Sequence, residues 1–263
     1  MFISEERKRY LSKIKREKLF VSFFRFLIIF IFIIGWEILA RFDIINTFTF
    51  SSPSLIIKTF AELLRNGSLF SHIGITLYEV ILCFLLATII GLLFAVLLWF
   101  FPIFSKIVDP YLTVLNSLPK VSLGPLIIIW VGASINSIIL MSLLISTFIT
   151  IINIYNGFTS TNKNYIILLK SFGANKWQIF KYVVFPSNMQ VIISALKINV
   201  SMNLIGVIMG ELLVSKKGIG YLIMYGSQVF NINLVITGVV ILGIISYLMY
   251  FVIDTFEKNF NNK

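Results

Sequence analysis

One cysteine, one histidine and 11 acidic residues stand in a chain of 263. The lone thiol, Cys83, lies in an apolar run, which excludes an internal disulfide and a cysteine-built metal cluster and says nothing about redox compartment. His72 has no ligand-type partner close to it in sequence and reads as a solvated or structural histidine. Enzyme signatures are missing too: there is no H-E-x-x-H, no G-x-S-x-G and no pair of carboxylates beside a histidine. A G-x-x-x-x-G-K-[ST] loop is also absent, so the chain has no P-loop with which to bind and hydrolyse ATP. No catalytic residue, cofactor or metal is expected.

What is present is apolar surface. Hydrophobic residues make up 58% of the chain, the mean hydropathy is +0.96, and charged residues are only 13%. Soluble domains run at about 45–50% apolar and about 25% charged, so this is the composition of an integral membrane protein. The net charge of +11 is no sign of nucleic acid, because membrane proteins gather basic residues on their cytoplasmic side. A helix crosses a bilayer with about 20 apolar residues, satisfying its own backbone. Six segments qualify: 21–40, 75–100, 110–131, 135–156, 189–213 and 233–255. The apolar run Phe23 to Leu39 exceeds a signal-peptide core and lacks a small-residue cleavage site, so the first segment reads as a retained span. The third holds Pro119, Lys120, Gly124 and Pro125, and is expected to be kinked.

Charge sets the expected orientation. Arg7, Lys8, Arg9, Lys13, Lys15, Arg16 and Lys18 fill a basic segment, 1–20, ahead of the first span, which puts both termini in the cytoplasm if six spans cross. Lys106, Lys163, Lys170, Lys176, Lys181, Lys258 and Lys263 then fall inside, whereas Arg41, Lys58, Arg65, Lys216 and Lys217 fall outside. The outer loop 41–74 is expected to hold a short helix in "PSLIIKTFAELLRNG", with Pro53 near its start and Gly67 past its end.

Between spans four and five lies "LLKSFGANKWQIFKYVVFPSNMQ", Leu168 to Gln190, amphipathic and basic. Gly173 breaks one helical stretch, Asn175 caps the next, and Trp177, Phe180 and Val184 recur on one face before Pro186 interrupts the pattern. Pattern alone leaves two roles open: an interfacial helix lying on anionic lipid, or a knob offered to a cytoplasmic partner.

The stretch "GANKWQIFKYVVFP", with Pro186 thirteen positions after Gly173, resembles the EAA loop of bacterial ABC-importer permeases. "GELLVSKKGIGYLI" (210–223), "SSPSLIIKTFAELLRNGSLFSHIGITL" (51–77), "GWEILA" (35–40) and "LPKVSLGPLIIIWVGAS" (118–134) resemble, in order, further parts of permeases of the nitrate, sulfonate and taurine type. The resemblance implies an all-α membrane protein, six transmembrane helices in the type I importer permease fold, with 1–263 as a single transmembrane domain, 75–255 as its core and 157–188 as its cytoplasmic coupling loop. It implies a subunit of an ATP-driven importer in the cell membrane, working with two copies of a separate ATPase, a second permease chain and an extracytoplasmic binding protein or lipoprotein. Gly173, Ala174, Lys176, Trp177, Phe180, Lys181 and Pro186 would form the ATPase-coupling element, with Trp177 and Phe180 as its anchors. The cargo would be a small solute such as nitrate, a sulfonate or taurine; a pyrimidine vitamin precursor is the alternative. A self-contained channel is the alternative from another class.

The chain departs from that pattern in two places. Ile167, Leu168 and Leu169 stand where the loop's glutamate and two alanines would fall, and Glu79 stands where a basic residue is usual. Glu79 is expected at the edge of its span, solvated. Lys120, Asn199, Asn203 and Glu211 are the candidate translocation path, with interhelical hydrogen bonding as the competing role for the asparagines. Lys197 is expected to snorkel inward, and Glu37 to cap or pair locally.

Overall fold

A computed structural model describes the backbone of residues 5–261 and the side chains of 13–255, 257 and 258. Arg7, Lys8, Arg9 and Lys263, which weigh in the expected orientation, lie outside the described side chains. Among the described residues every regular element is helical.

The chain opens with α1 (Glu5–Arg41), whose apolar side chains are largely exposed and which meets the bundle near its far end, against α3. After α2 (Thr47–Phe50) comes α3 (Pro53–Arg65), the expected loop helix. Its boundaries follow from its sequence: Ser52 caps it, Pro53 takes the first position where a missing N–H costs nothing, and Gly67 turns out at φ +68°. Glu37 binds locally, as expected. One carboxylate oxygen pairs with Arg41 Nε at 2.8 Å and the other accepts the Ser54 N–H at 3.0 Å, tying α1 to the start of α3.

The long apolar helices are α4 (Ser68–Phe100), α7 (Ile135–Thr159), α11 (Met189–Val214) and α13 (Ile232–Asn261), joining α1 to give five elements long enough to cross a bilayer. The third expected span is different. It starts earlier, and it is two helices, α5 (Pro102–Ser117) and α6 (Gly124–Val131), joined through a 3-10 turn at Lys120–Leu123 and bent by 83°. Pro119 and Pro125 explain the break, since neither can donate the hydrogen bond that would carry a helix through the turn. Counting the bent pair as one crossing makes six.

Helices α4, α7 and α11 form the centre of the bundle. Helix α11 approaches α7 through Gly206 and Gly210, one turn apart. A Cβ on Gly206 would overlap the Ser142 backbone, and one on Gly210 would sit 2.9 Å from Ile138 Cα. This is the small-residue spacing that lets membrane helices bring their backbones together. At one end of the bundle lie α8 (Lys163–Ser171), α9 (Lys176–Ile179), a π turn over Phe180–Val184, and α10 (Phe185–Ser187), which run almost without interruption into α11. At the other end α12 (Ile219–Gln228) folds back between α11 and α13.

Candidate functional sites

The loop between α7 and α11 is a built element. Gly173 sits at φ +77°, a conformation glycine enters without strain, and its N–H and that of Ala174 return to Lys170 O and Leu169 O. Asn175 then starts α9 with a capping box, its side chain accepting from Gln178 N–H while Gln178 accepts from Asn175 N–H, each at 2.8 Å. Pro186 does not end the helix. The turn before it widens to π geometry, and the Asn188 amide donates to Val184 O at 2.8 Å and to Thr161 Oγ1 at 2.7 Å, filling in where the regular ladder lapses.

The stripe Trp177, Phe180 and Val184 divides on folding. Phe180 is 5% exposed, and its ring lies 5.2–5.9 Å from those of Trp99, Phe100, Phe158 and Phe185, while Val184 is fully buried. Expected as a surface anchor, Phe180 instead seats the element on the ends of α4 and α7. Trp177 remains 58% exposed, and Lys181, Tyr182, Pro186 and the turn-tip Phe172 are exposed with it. Lys176 is turned back: its ammonium donates to Phe100 O at the end of α4, where the helix dipole favours a cation, and lies 5.6 Å from the Trp99 ring. Phe172 and Tyr182 were missed in the sequence; two aromatics flanking a glycine turn in a basic loop were the available signal.

The candidate path residues part company. Asn199 and Asn203 are fully buried: Asn199 donates to Thr88 Oγ1 on α4 at 2.8 Å, and Asn203 donates to Asn199 Oδ1 at 2.7 Å while accepting from Ser142 and Ser146 on α7 at 2.8 and 3.0 Å. They form a seam through α4, α7 and α11, and neither faces an open passage in the isolated chain. Lys120 is half-buried at the bend of the third span, bonded to Asn116 Oδ1 at 3.1 Å and 5.8 Å from the Phe148 ring.

Glu211 sits in a clasp. It accepts from Thr76 Oγ1 and from Gly220 N–H, each at 2.6 Å, and Thr76 in turn accepts the Ile219 N–H at 2.8 Å. His72 Nδ1 accepts the Gly218 N–H at 3.0 Å, so α4 supplies caps to the start of α12. Gly218, at φ +108°, packs directly on the Glu211 carboxylate. Glu79 corrects an expectation. It is buried in the same place, against Glu211, with Oε2 unpartnered among the described residues, because α4 begins more than two turns before it and carries it inside the bundle. Lys197, expected to snorkel inward, pairs with Asp254 at 2.8 Å and with Glu257, both near the C-terminal end of α13, so the neighbouring helix supplies its countercharge.

Residues 87–263 match the model of the binding-protein-dependent transport system inner membrane component. The chain belongs to that family. A probable ABC transporter permease protein of Haemophilus influenzae is 31% identical over 87% of this chain and 92% of its own length. A putative aliphatic sulfonates transport permease of Bacillus subtilis is 28% identical over 81% and 77%, and a formylaminopyrimidine transport permease of Halalkalibacterium halodurans 31% identical over 71% and 74%. Among solved structures, the MetNI methionine ABC transporter superposes with a TM-score of 0.66 at 19% identity, over 74% of this chain and 97% of the matched one. The fold is therefore that of an importer permease, in the inner membrane, serving a system that depends on a binding protein. That sets aside a self-contained channel.

Proposed function

We propose that this chain is the transmembrane subunit through which a separate ATPase drives uptake of a small solute, with Gly173–Pro186 as the coupling element. The whole chain acts as one transmembrane domain, with both termini and residues 157–188 on the cytoplasmic side, where the basic residues gather. Two copies of the ATPase and a second permease chain complete the complex. An outer binding protein delivers cargo, an anion such as nitrate, a sulfonate or taurine being favoured over a pyrimidine vitamin precursor.

The supporting observation is a division of labour within one short segment, the turn at Gly173 and the helix after it. Phe180 and Val184 bind it to the ends of α4 and α7, while Trp177, Lys181, Tyr182 and Phe172 stay outside. An element rooted in this way transmits a push as a lever, and a partner's closure on its outer face would bias the bundle between two arrangements. Gly173 supplies the turn, and Lys176 fastens the element to the end of α4.

Co-purification tests it. The tagged chain, co-expressed with its neighbouring genes, is expected to carry an ATPase through detergent extraction, and Trp177→Ala with Tyr182→Ala is expected to lose it while remaining folded. Retention of the ATPase by that double variant would move the docking surface elsewhere.

A further inference from the structure

Lysines inside membrane spans are rare and need a countercharge. Lys197 has two, Asp254 and Glu257. Lys120 has none: among the described residues no carboxylate lies within 4.0 Å of its ammonium, and its one hydrogen bond goes to the neutral Asn116. Its depth is set by Phe148, the ring beside it, which lies about 20 Å along α7 from the start of that helix and about 17 Å from its end. That is mid-membrane, out of reach of lipid phosphates on either side. Leu118, Pro119, Val121 and Ser122 around it are exposed on the outside of this chain's bundle. An unpaired ammonium at that depth is not tolerated against lipid tails, so this face of the bend belongs to a wet passage or subunit junction. Three ammonium protons with one bond made leave donors to offer.

We infer that Lys120, held at the bend by Asn116 and Phe148, is an anion contact in the passage, meeting the sulfonate, nitrate or carboxylate group of a cargo as it crosses. The inference rests on the importer reading and adds to it the residue and the charge of the group it receives. The bend matters because a straight helix would leave no gap beside the lysine, whereas the 83° break opens its backbone at the level of the charge.

The test uses a thiol reporter in the full chain, co-expressed with its partners and placed in phosphatidylcholine nanodiscs. Ser122→Cys, two residues from Lys120 and exposed, is labelled with an anionic and with a cationic methanethiosulfonate reagent. Cys83 is fully buried, and the unsubstituted chain gives its background. With Lys120 present the anionic reagent is expected to react about tenfold faster than the cationic one, an electrostatic preference that methanesulfonate suppresses and neutral dimethyl sulfone does not. Lys120→Gln should remove the preference, and Lys120→Arg should keep it. Equal rates for both reagents, no labelling at all, or a preference unchanged in Lys120→Gln would each overturn the inference. Suppression by added phosphatidylglycerol but not by methanesulfonate would assign the site to a lipid headgroup and overturn it as a cargo contact. The ATPase content of the same preparation is scored separately: its absence would count against coupling, while the labelling ratio stands on its own.

Discussion

The Thr76 hydroxyl, on α4, donates to the Glu211 carboxylate, on α11, at 2.6 Å, joining residues 135 positions apart in a fully buried setting. The same hydroxyl accepts the Ile219 N–H, and Glu211 accepts that of Gly220, so two of the free amides at the start of α12 are capped from other helices. Removing the hydroxyl without removing the shape leaves a carboxylate oxygen and an amide stranded. Thr76→Val is therefore expected to destabilise the chain by about 2–4 kcal/mol, and Thr76→Ser by much less. Chemical or thermal unfolding in detergent measures both. Equal stability of Thr76→Val and wild type would refute the clasp.

Gly218 makes the same point through space. A side chain there would need a positive φ and would occupy the position of the Glu211 carboxylate. Gly218→Ala should disorder the α11–α12 connection, read as faster proteolysis between Ser215 and Ile219. Protection like that of wild type would show that the turn can relax.

The coupling element separates two effects. Phe180→Ala opens a cavity among Trp99, Phe100, Phe158 and Phe185 and is expected to cost about 3 kcal/mol in stability. Trp177→Ala removes an exposed ring and should leave the melting temperature within a degree or two of wild type while weakening ATPase capture. A reversed order, with Trp177→Ala unfolding the chain, would mean that the tryptophan packs inward in the membrane.

Much of this fold is legible along the chain, and the limits have physical causes. Ser52, Pro53 and Gly67 bound α3 by local chemistry, and Gly173 with Asn175 does the same for the coupling element. The apolar run lengths mark five long helices. What sequence cannot display is which way a stripe faces. Trp177, Phe180 and Val184 share a helical face, and a face that grips the chain's own core is not free to grip a partner as well; burial divides it at Phe180. The placing of Glu79 at the edge of its span fails because α4 begins well before the apolar run does, and only the crossing of α4 and α11 brings Glu79 beside Glu211, far away in sequence. The asparagines at 199 and 203 were visible as a pair four apart, but a face lined with amides looks the same whether it meets water or the serines of another helix. Prolines announced the third span's break; its 83° angle depends on what packs around it.

The helix crossing itself gives the last expectation. Gly206 and Gly210 bring α11 against α7, and that approach puts Asn203 within reach of Ser142 and Ser146. The close packing and the polar seam are one device: widening the gap should break both. Gly206→Leu would place a branched side chain where the Ser142 backbone lies, separating the helices and stranding the Asn203 amide. Asn203→Ala removes the amide but keeps the approach, and hydrogen bonds between membrane helices are worth only about 0.6 kcal/mol on average and up to about 1.7. Gly206→Leu is therefore expected to abolish the folded chain, whereas Asn203→Ala costs about 1–2 kcal/mol by unfolding in denaturing detergent. In a cycle built with the milder Gly206→Ala, whose Cβ already meets the Ser142 backbone, the losses of Gly206→Ala and Asn203→Ala should be less than additive, since parting the helices weakens the bond that the second change deletes; independent, additive losses in that cycle would show that the glycines and the asparagine do not share a crossing.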